Sequence, residues 1–93
     1  MSRIADIKNA VEHTANSVVE HVETVPVVET FRGQVMWKGV VEVFRLATPP
    51  PELAYGWIAD AGNGEPEYVT VIGKPPINSP LDAVRAWLVS LRK

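Results

Sequence analysis

The sequence contains no cysteine. Without thiols it cannot form a disulfide scaffold, carry out thiol catalysis, or hold zinc or an iron–sulfur cluster through cysteine. A secreted domain of 93 residues usually contains disulfides, so we expect a reducing compartment, the cytoplasm.

Long apolar runs and a strong charge of either sign are also lacking. No run approaches the ~20 residues of a membrane helix. Asp6, Lys8 and Asn9 interrupt the N-terminal apolar residues, so no signal-peptide core is expected. Nine basic and eleven acidic residues give a net charge of -2 and a pI near 5.6, whereas nucleic-acid-binding proteins usually present a strongly basic face.

The residues that are present are typical of one small globular domain spanning positions 1–93. Hydrophobic residues make up 46% and charged residues 22% of the chain. Three Trp, two Tyr and two Phe provide enough bulk for a core.

The N-terminal part has the periodicity of an amphipathic helix, which we place at residues 3–22. Its apolar stripe consists of Ile4, Ile7, Val11, Ala15, Val18 and Val22. This helix is expected to cover a sheet; alternatively, it extends beyond the sheet and pairs with a partner.

The segment that follows is less regular, because Pro26 ends the helix. Residues 23–32 fit either a short edge strand or an apolar linker with some extended character, and we favour the linker.

Three segments have the composition of strands: residues 35–46, 53–60 and 67–73. A stiff turn with three prolines, residues 48–52, separates the first two. A compact turn at residues 61–66, in which Asn63-Gly64 supplies positive φ angles, separates the second and third. These short connections predict an antiparallel meander.

The last element is a helix that ends at about Leu91. Ser79 is its expected N-cap, Pro80 its first residue, and Asp82 suits the positive end of its dipole. The predicted fold class is therefore α+β, with the order α-β-β-β-α. Both helices are expected to pack on one face of the three-stranded sheet, leaving the other face open.

This order of elements resembles that of the double-stranded-RNA-binding domain, over residues 3–92. The resemblance implies an RNA-binding candidate. In that family, lysines at the start of the last helix contact the phosphates of the RNA. Here the corresponding residues are Ser79-Pro80-Leu81-Asp82-Ala83, with no lysine and one acid.

The residues that could support catalysis or metal binding do not form a recognisable motif. His13 and His21 are eight residues apart and project in different directions on the predicted helix. Asp60, Glu65 and Glu67 flank a turn without calcium-loop spacing. We therefore predict no metal, no cofactor and no enzymatic activity. A small enzyme or ligand-binding protein with a pocket beside Trp57 is a weaker alternative.

The aromatic residues point instead to a contact surface. A three-stranded sheet covered on one side cannot bury them all in a monomer. Either they complete a small core or shield the sheet edge, or some of them lie on or beside the open face, where they would carry interface energy. We predict a non-catalytic protein that acts through protein–protein contact or homodimerisation. The candidate contacts are Phe44, Tyr55, Trp57, Tyr68 and Lys38.

The alternative is a nucleic-acid-binding module that uses Arg32, Lys38, Arg45 and Lys74. The near-neutral total charge conceals opposed segments. Residues 1–30 carry -3, residues 31–48 +2, residues 49–72 -4 and residues 73–93 +3. This pattern weakens the argument against nucleic-acid binding, and it favours a charge-complementary contact with another protein.

Overall fold

The computed structural model describes residues 3–47, 52–60, 64–74 and 77–91. Its elements are α1 (Arg3–Ala15), β1 (Val19–Phe31), β2 (Gln34–Leu46), β3 (Leu53–Asp60), β4 (Pro66–Ile72) and α2 (Pro80–Ser90). The strands form one antiparallel sheet in the order β1-β2-β3-β4. The α+β class and the antiparallel meander are confirmed. The prediction of three strands is wrong, because the sheet has four.

The additional strand is β1, where a helix and a linker were expected. The helix ends at Ala15, and Asn16 takes a left-handed conformation with φ 52°, which asparagine tolerates better than most residues. The backbone N–H of Val19 then donates to the side chain of Glu12 at 3.0 Å. The chain enters β1 at this point, so Val18 and Val22 are exposed and do not continue a helical stripe.

β1 and β2 form a long hairpin closed by Arg32 and Gly33. Both residues have positive φ, 53° and 80°, as a two-residue type I′ turn requires. Pro26 lies within β1 opposite Val40, a position that is tolerated because β1 is an edge strand. Residues 23–31 therefore belong to the sheet. The favoured linker prediction is wrong, and the alternative, an edge strand, is correct.

The two helices pack on opposite faces of the sheet, which corrects the prediction that they share one face. On the α1 face, Ile7 and Val11 pack with Phe44 and Ala54. Gly56 permits this close approach, because a Cβ there would lie 2.7 Å from Cγ2 of Ile7.

On the α2 face, the core comes from the alternate residues of the same strands. Its buried members are Val27, Val41, Val43, Tyr55, Trp57, Ala59, Ala83 and Val84. Trp37, Trp57 and Trp87 meet here, with ring centroids 5.6 to 6.4 Å apart. The fourth strand and the opposite placement of the helices differ from the α-β-β-β-α arrangement, so the likeness to the double-stranded-RNA-binding domain is not confirmed.

α2 begins as predicted. The Ser79 side chain accepts a hydrogen bond from the backbone N–H of Asp82 at 3.1 Å, and Pro80 is the first helical residue. Outside the described residues lie positions 48–51 of the predicted proline turn, positions 61–63 of the predicted compact turn, and Arg92 and Lys93. Neither helix has the length and apolar character needed to cross a bilayer, within the part of the chain that the structure describes.

Candidate protein-binding groove

A groove lies between the tip of the β1–β2 hairpin and the C-terminal half of α2. It is lined by Glu29, Thr30, Phe31, Met36, Arg85, Leu88 and Val89, and its cavity has a volume of about 260 Å³. We refer to this site below as the groove. Its residues come from two segments far apart in sequence, and the packing of α2 on β1 brings them together.

A β-bulge shapes the hairpin side of the groove. Glu29 is opposite Trp37 and Thr30 is opposite Val35, so Met36 is an extra residue in β2. A bulge bends its strand and redirects side chains. Met36 consequently lines the same cavity as Leu88 of α2.

An ion pair lines the groove. Glu29 is largely buried, and its Oε2 lies 2.5 Å from Nε of Arg85. Its other carboxylate oxygen accepts from the backbone N–H of Thr30 at 3.0 Å. The hydrogen bond and the charge of Glu29 raise the pKa of Arg85. This pair connects β1 to α2, and the Arg85 side chain remains 56% exposed.

The walls of the groove are apolar and accessible. Phe31 is 51% exposed and Val89 is 66% exposed. The guanidinium carbon of Arg32 lies 5.2 Å from the centroid of the Phe31 ring, so a cation is held at the rim. Apolar side chains concentrated beside paired charges are typical of a contact surface.

The predicted aromatic contacts do not form this surface. Phe44, Tyr55 and Trp57 are buried within the monomer, so these three complete the core and are not exposed on an open face. The physical reason is that each face of the sheet has its own helix. Tyr68 is 44% exposed and Lys38 is exposed, but they lie on β4 and β2 and share no strand pairing.

The predicted nucleic-acid contacts are not gathered on one surface either. Arg32 is at the hairpin tip and Arg45 is near the other end of β2, roughly 35 Å away at the usual rise per residue. Arg45 forms an ion pair with Glu20 at 3.2 Å. Lys74 follows β4 and lines a different cavity with Thr14 and Glu52.

A second polar cluster lies on the α1 face around Glu42, which is fully buried. One of its oxygens is 2.9 Å from Nε2 of His21 and also accepts from the Thr24 hydroxyl. The other oxygen is 3.4 Å from Nη1 of Arg3. Thr24 and Glu42 both approach the same nitrogen of His21, so the imidazole does not relay between a hydroxyl and a carboxylate through its two nitrogens, as a catalytic triad requires.

The spacing of His13 and His21 predicts that the two histidines do not share a metal ion. His13 is exposed on α1, and His21 lies in β1. Within the described ranges, no group of three or more His, Asp and Glu side chains is placed to hold a metal ion.

Sequence patterns did not predict the residues that line the groove, because Phe31 falls in the segment expected to be a linker. The available signals were the apolar run around Val27, Val28 and Phe31, and the apolar Val89 near the end of the predicted last helix.

Comparison of the chain with protein-family models, with curated proteins and with solved structures finds no match.

Proposed function

We propose that this protein is non-catalytic and acts in the cytoplasm by binding another protein, and that the groove receives an apolar segment of that partner. The observation that carries the proposal is the set of exposed apolar walls, including Phe31 and Val89, around a preformed cavity. Aromatic residues, Met and Arg are the residue types enriched in protein interfaces, and the groove contains all three.

The charge around the groove favours a partner segment that is acidic as well as apolar. Among the residues that line the groove, Glu29 and Arg85 neutralise each other, and Arg32 at the rim adds one positive charge. Arg32 stands at the rim, and Arg85 is more than half exposed. A carboxylate on the partner would complement these cations and set the orientation of the bound segment.

The polar clusters support a role without catalysis. Glu29 pairs with Arg85 across two elements, and Glu42 is held by His21, Thr24 and Arg3. These contacts connect helices to the sheet. Groups paired in this way support the architecture that holds the groove in place.

A displayed peptide library selected on the purified protein tests the proposal. We expect enriched peptides with clustered apolar side chains next to Asp or Glu. Their affinity should fall at least tenfold for Val89→Asp, because the new carboxylate stands in the apolar wall and repels the acidic ligand. The matched control is Val18→Asp, since Val18 is an exposed valine that immediately precedes β1, far from the hairpin tip. This control should bind like the unchanged protein.

Two results would count against the groove. One is a selection that enriches no peptide; the other is an equal loss of binding in Val89→Asp and Val18→Asp.

A titration with labelled duplex RNA and single-stranded DNA tests the alternative function, nucleic-acid binding. The proposal predicts no binding at low salt. Binding that weakens steeply with salt and is lost on substitution of Arg32 and Lys38 would replace it with nucleic-acid recognition.

A further inference from the structure

The two edges of the sheet differ in their protection against pairing with another strand. β1 has Pro26 in its middle, an irregularity between His21 and Glu23, and exposed glutamates at positions 20 and 23. Proline, bulges and charges are the usual devices that block edge pairing. β4 pairs with β3 without interruption, from Pro66 opposite Asp60 to Ile72 opposite Ala54. From Tyr68 to Ile72 it contains no charge, proline or glycine.

The hydrogen bonds of β4 identify which of its backbone groups face outward. The N–H of Gly73 donates to the carbonyl of Leu53 at 2.7 Å, so residues 53 and 73 form a hydrogen-bonded pair. Such pairs alternate along an antiparallel ladder. Residues 67, 69 and 71 therefore bond to β3, whereas the N–H and C=O groups of Tyr68, Thr70 and Ile72 point to the free edge.

We propose that a second copy of this chain pairs with this edge, antiparallel, about a two-fold axis at Thr70. The two sheets then become one continuous eight-stranded sheet. In this register Thr70 is opposite Thr70 of the second copy, and Tyr68 is opposite its Ile72. Both pairs use residues whose backbone groups face outward, so each can exchange two hydrogen bonds. The Ile72 carbonyl already accepts from the N–H of Lys74 at 2.9 Å, and its second lone pair serves the new bond.

The side chains of β4 are self-complementary in this register. Tyr68 meets Ile72 on one face, and Val69 meets Val71 on the other; aromatic and β-branched pairs of this kind stabilise sheets. The charges also match. Glu67 lies at the start of β4 and Lys74 follows its end, so antiparallel pairing brings the acid of one copy beside the base of the other. Parallel pairing would place like charges together.

Sedimentation equilibrium over a range of concentrations tests the proposal. The expected mass is twice the 10.2 kDa of the chain. Thr70→Pro removes an outward N–H without touching the bonds to β3, and Tyr68→Lys places a charge at a half-exposed edge position. Each should weaken association at least tenfold while circular dichroism remains that of the folded protein. Val28→Lys is the matched control, because Val28 is half-exposed on the other edge strand, and it should dimerise normally.

Hydrogen exchange provides a second measurement that does not depend on substitution. The amides of Tyr68, Thr70 and Ile72 should become protected as the protein concentration rises. A monomer at every concentration overturns the proposal, and so does a dimer that Tyr68→Lys and Thr70→Pro leave intact. A dimer lost in Val28→Lys or Val89→Asp would place the interface at β1 or at the groove. Tyr68→Lys should retain peptide binding, which separates this outcome from that of the groove experiment.

Discussion

Tyr55 shows how burial changes the chemistry of a single residue. It lies at the centre of the α2 face with Val43, Trp57 and Val84. Burial removes water that would stabilise the phenolate, and Asp82 and Glu23 add negative charge nearby. These effects raise the pKa of Tyr55 above its ordinary value of 10.0.

This shift predicts an alkaline limit to stability. The raised pKa means that the folded protein holds the Tyr55 proton more tightly than the unfolded chain does. The stabilisation is therefore complete below pH 10.0 and is lost as the pH rises from there through the folded pKa. In Tyr68→Phe, Tyr55 is the only tyrosine left, so the phenolate absorbance reports it alone. We expect a midpoint above 10.0 that coincides with loss of structure; a midpoint at or below 10.0 in the folded protein would contradict this.

At the scale of elements, β1 shows why periodicity alone misplaced a strand. Ile4, Ile7 and Val11 follow a helical stripe, and Val18 and Val22 extend the same spacing. The positive φ of Asn16 ends the helix before those valines. Asparagine is a recognised signal at this position, but a weaker one than glycine. The Arg32-Gly33 turn is also a weaker hairpin signal than Asn-Gly. α2 was predictable, because Ser79, Pro80 and Asp82 are local signals that act within one turn.

Glu42 connects three elements, and its removal should show what that connection contributes. Arg3 belongs to α1, His21 and Thr24 to β1, and Glu42 to β2. Glu42→Ala leaves these donors without their acceptor and opens space under α1. We expect a loss of about 2 to 3 kcal/mol in the free energy of unfolding, measured by urea denaturation.

Glu20→Ala is the control for this substitution. Glu20 also forms an ion pair, with Arg45, but both side chains are more than half exposed. Exposed pairs contribute little, so the change should be within about 0.5 kcal/mol. Equal effects of the two substitutions would show that the buried cluster does not hold α1 on the sheet.

For the whole molecule, the decisive difference from the predicted fold is that helices cover both faces of the sheet. β3 reads Leu-Ala-Tyr-Gly-Trp-Ile-Ala before Asp60, an almost continuous apolar run. Such a run is typical of a strand buried on both sides, and this signal would have placed the helices on opposite faces. With both faces covered, Phe44 and Trp57 belong to two separate cores.

The groove could not be derived from the sequence in the same way. Glu29 and Arg85 are 56 residues apart and meet only because α2 packs on β1. Met36 reaches the cavity only because of a bulge. Contacts of this kind depend on register and helix placement, which local patterns do not specify.

Met36 provides a direct probe of whether the groove binds an apolar, acidic segment, because its side chain lines the groove. The chain has two methionines, Met1 and Met36, so labelled methyl groups give two NMR signals, which the Met36→Leu variant assigns. On titration with a peptide from the displayed library, the Met36 signal should shift and saturate with the binding curve, and it should remain unchanged when the same peptide is added to Val89→Asp. A peptide that binds with full affinity while the Met36 signal stays fixed would contradict the proposal.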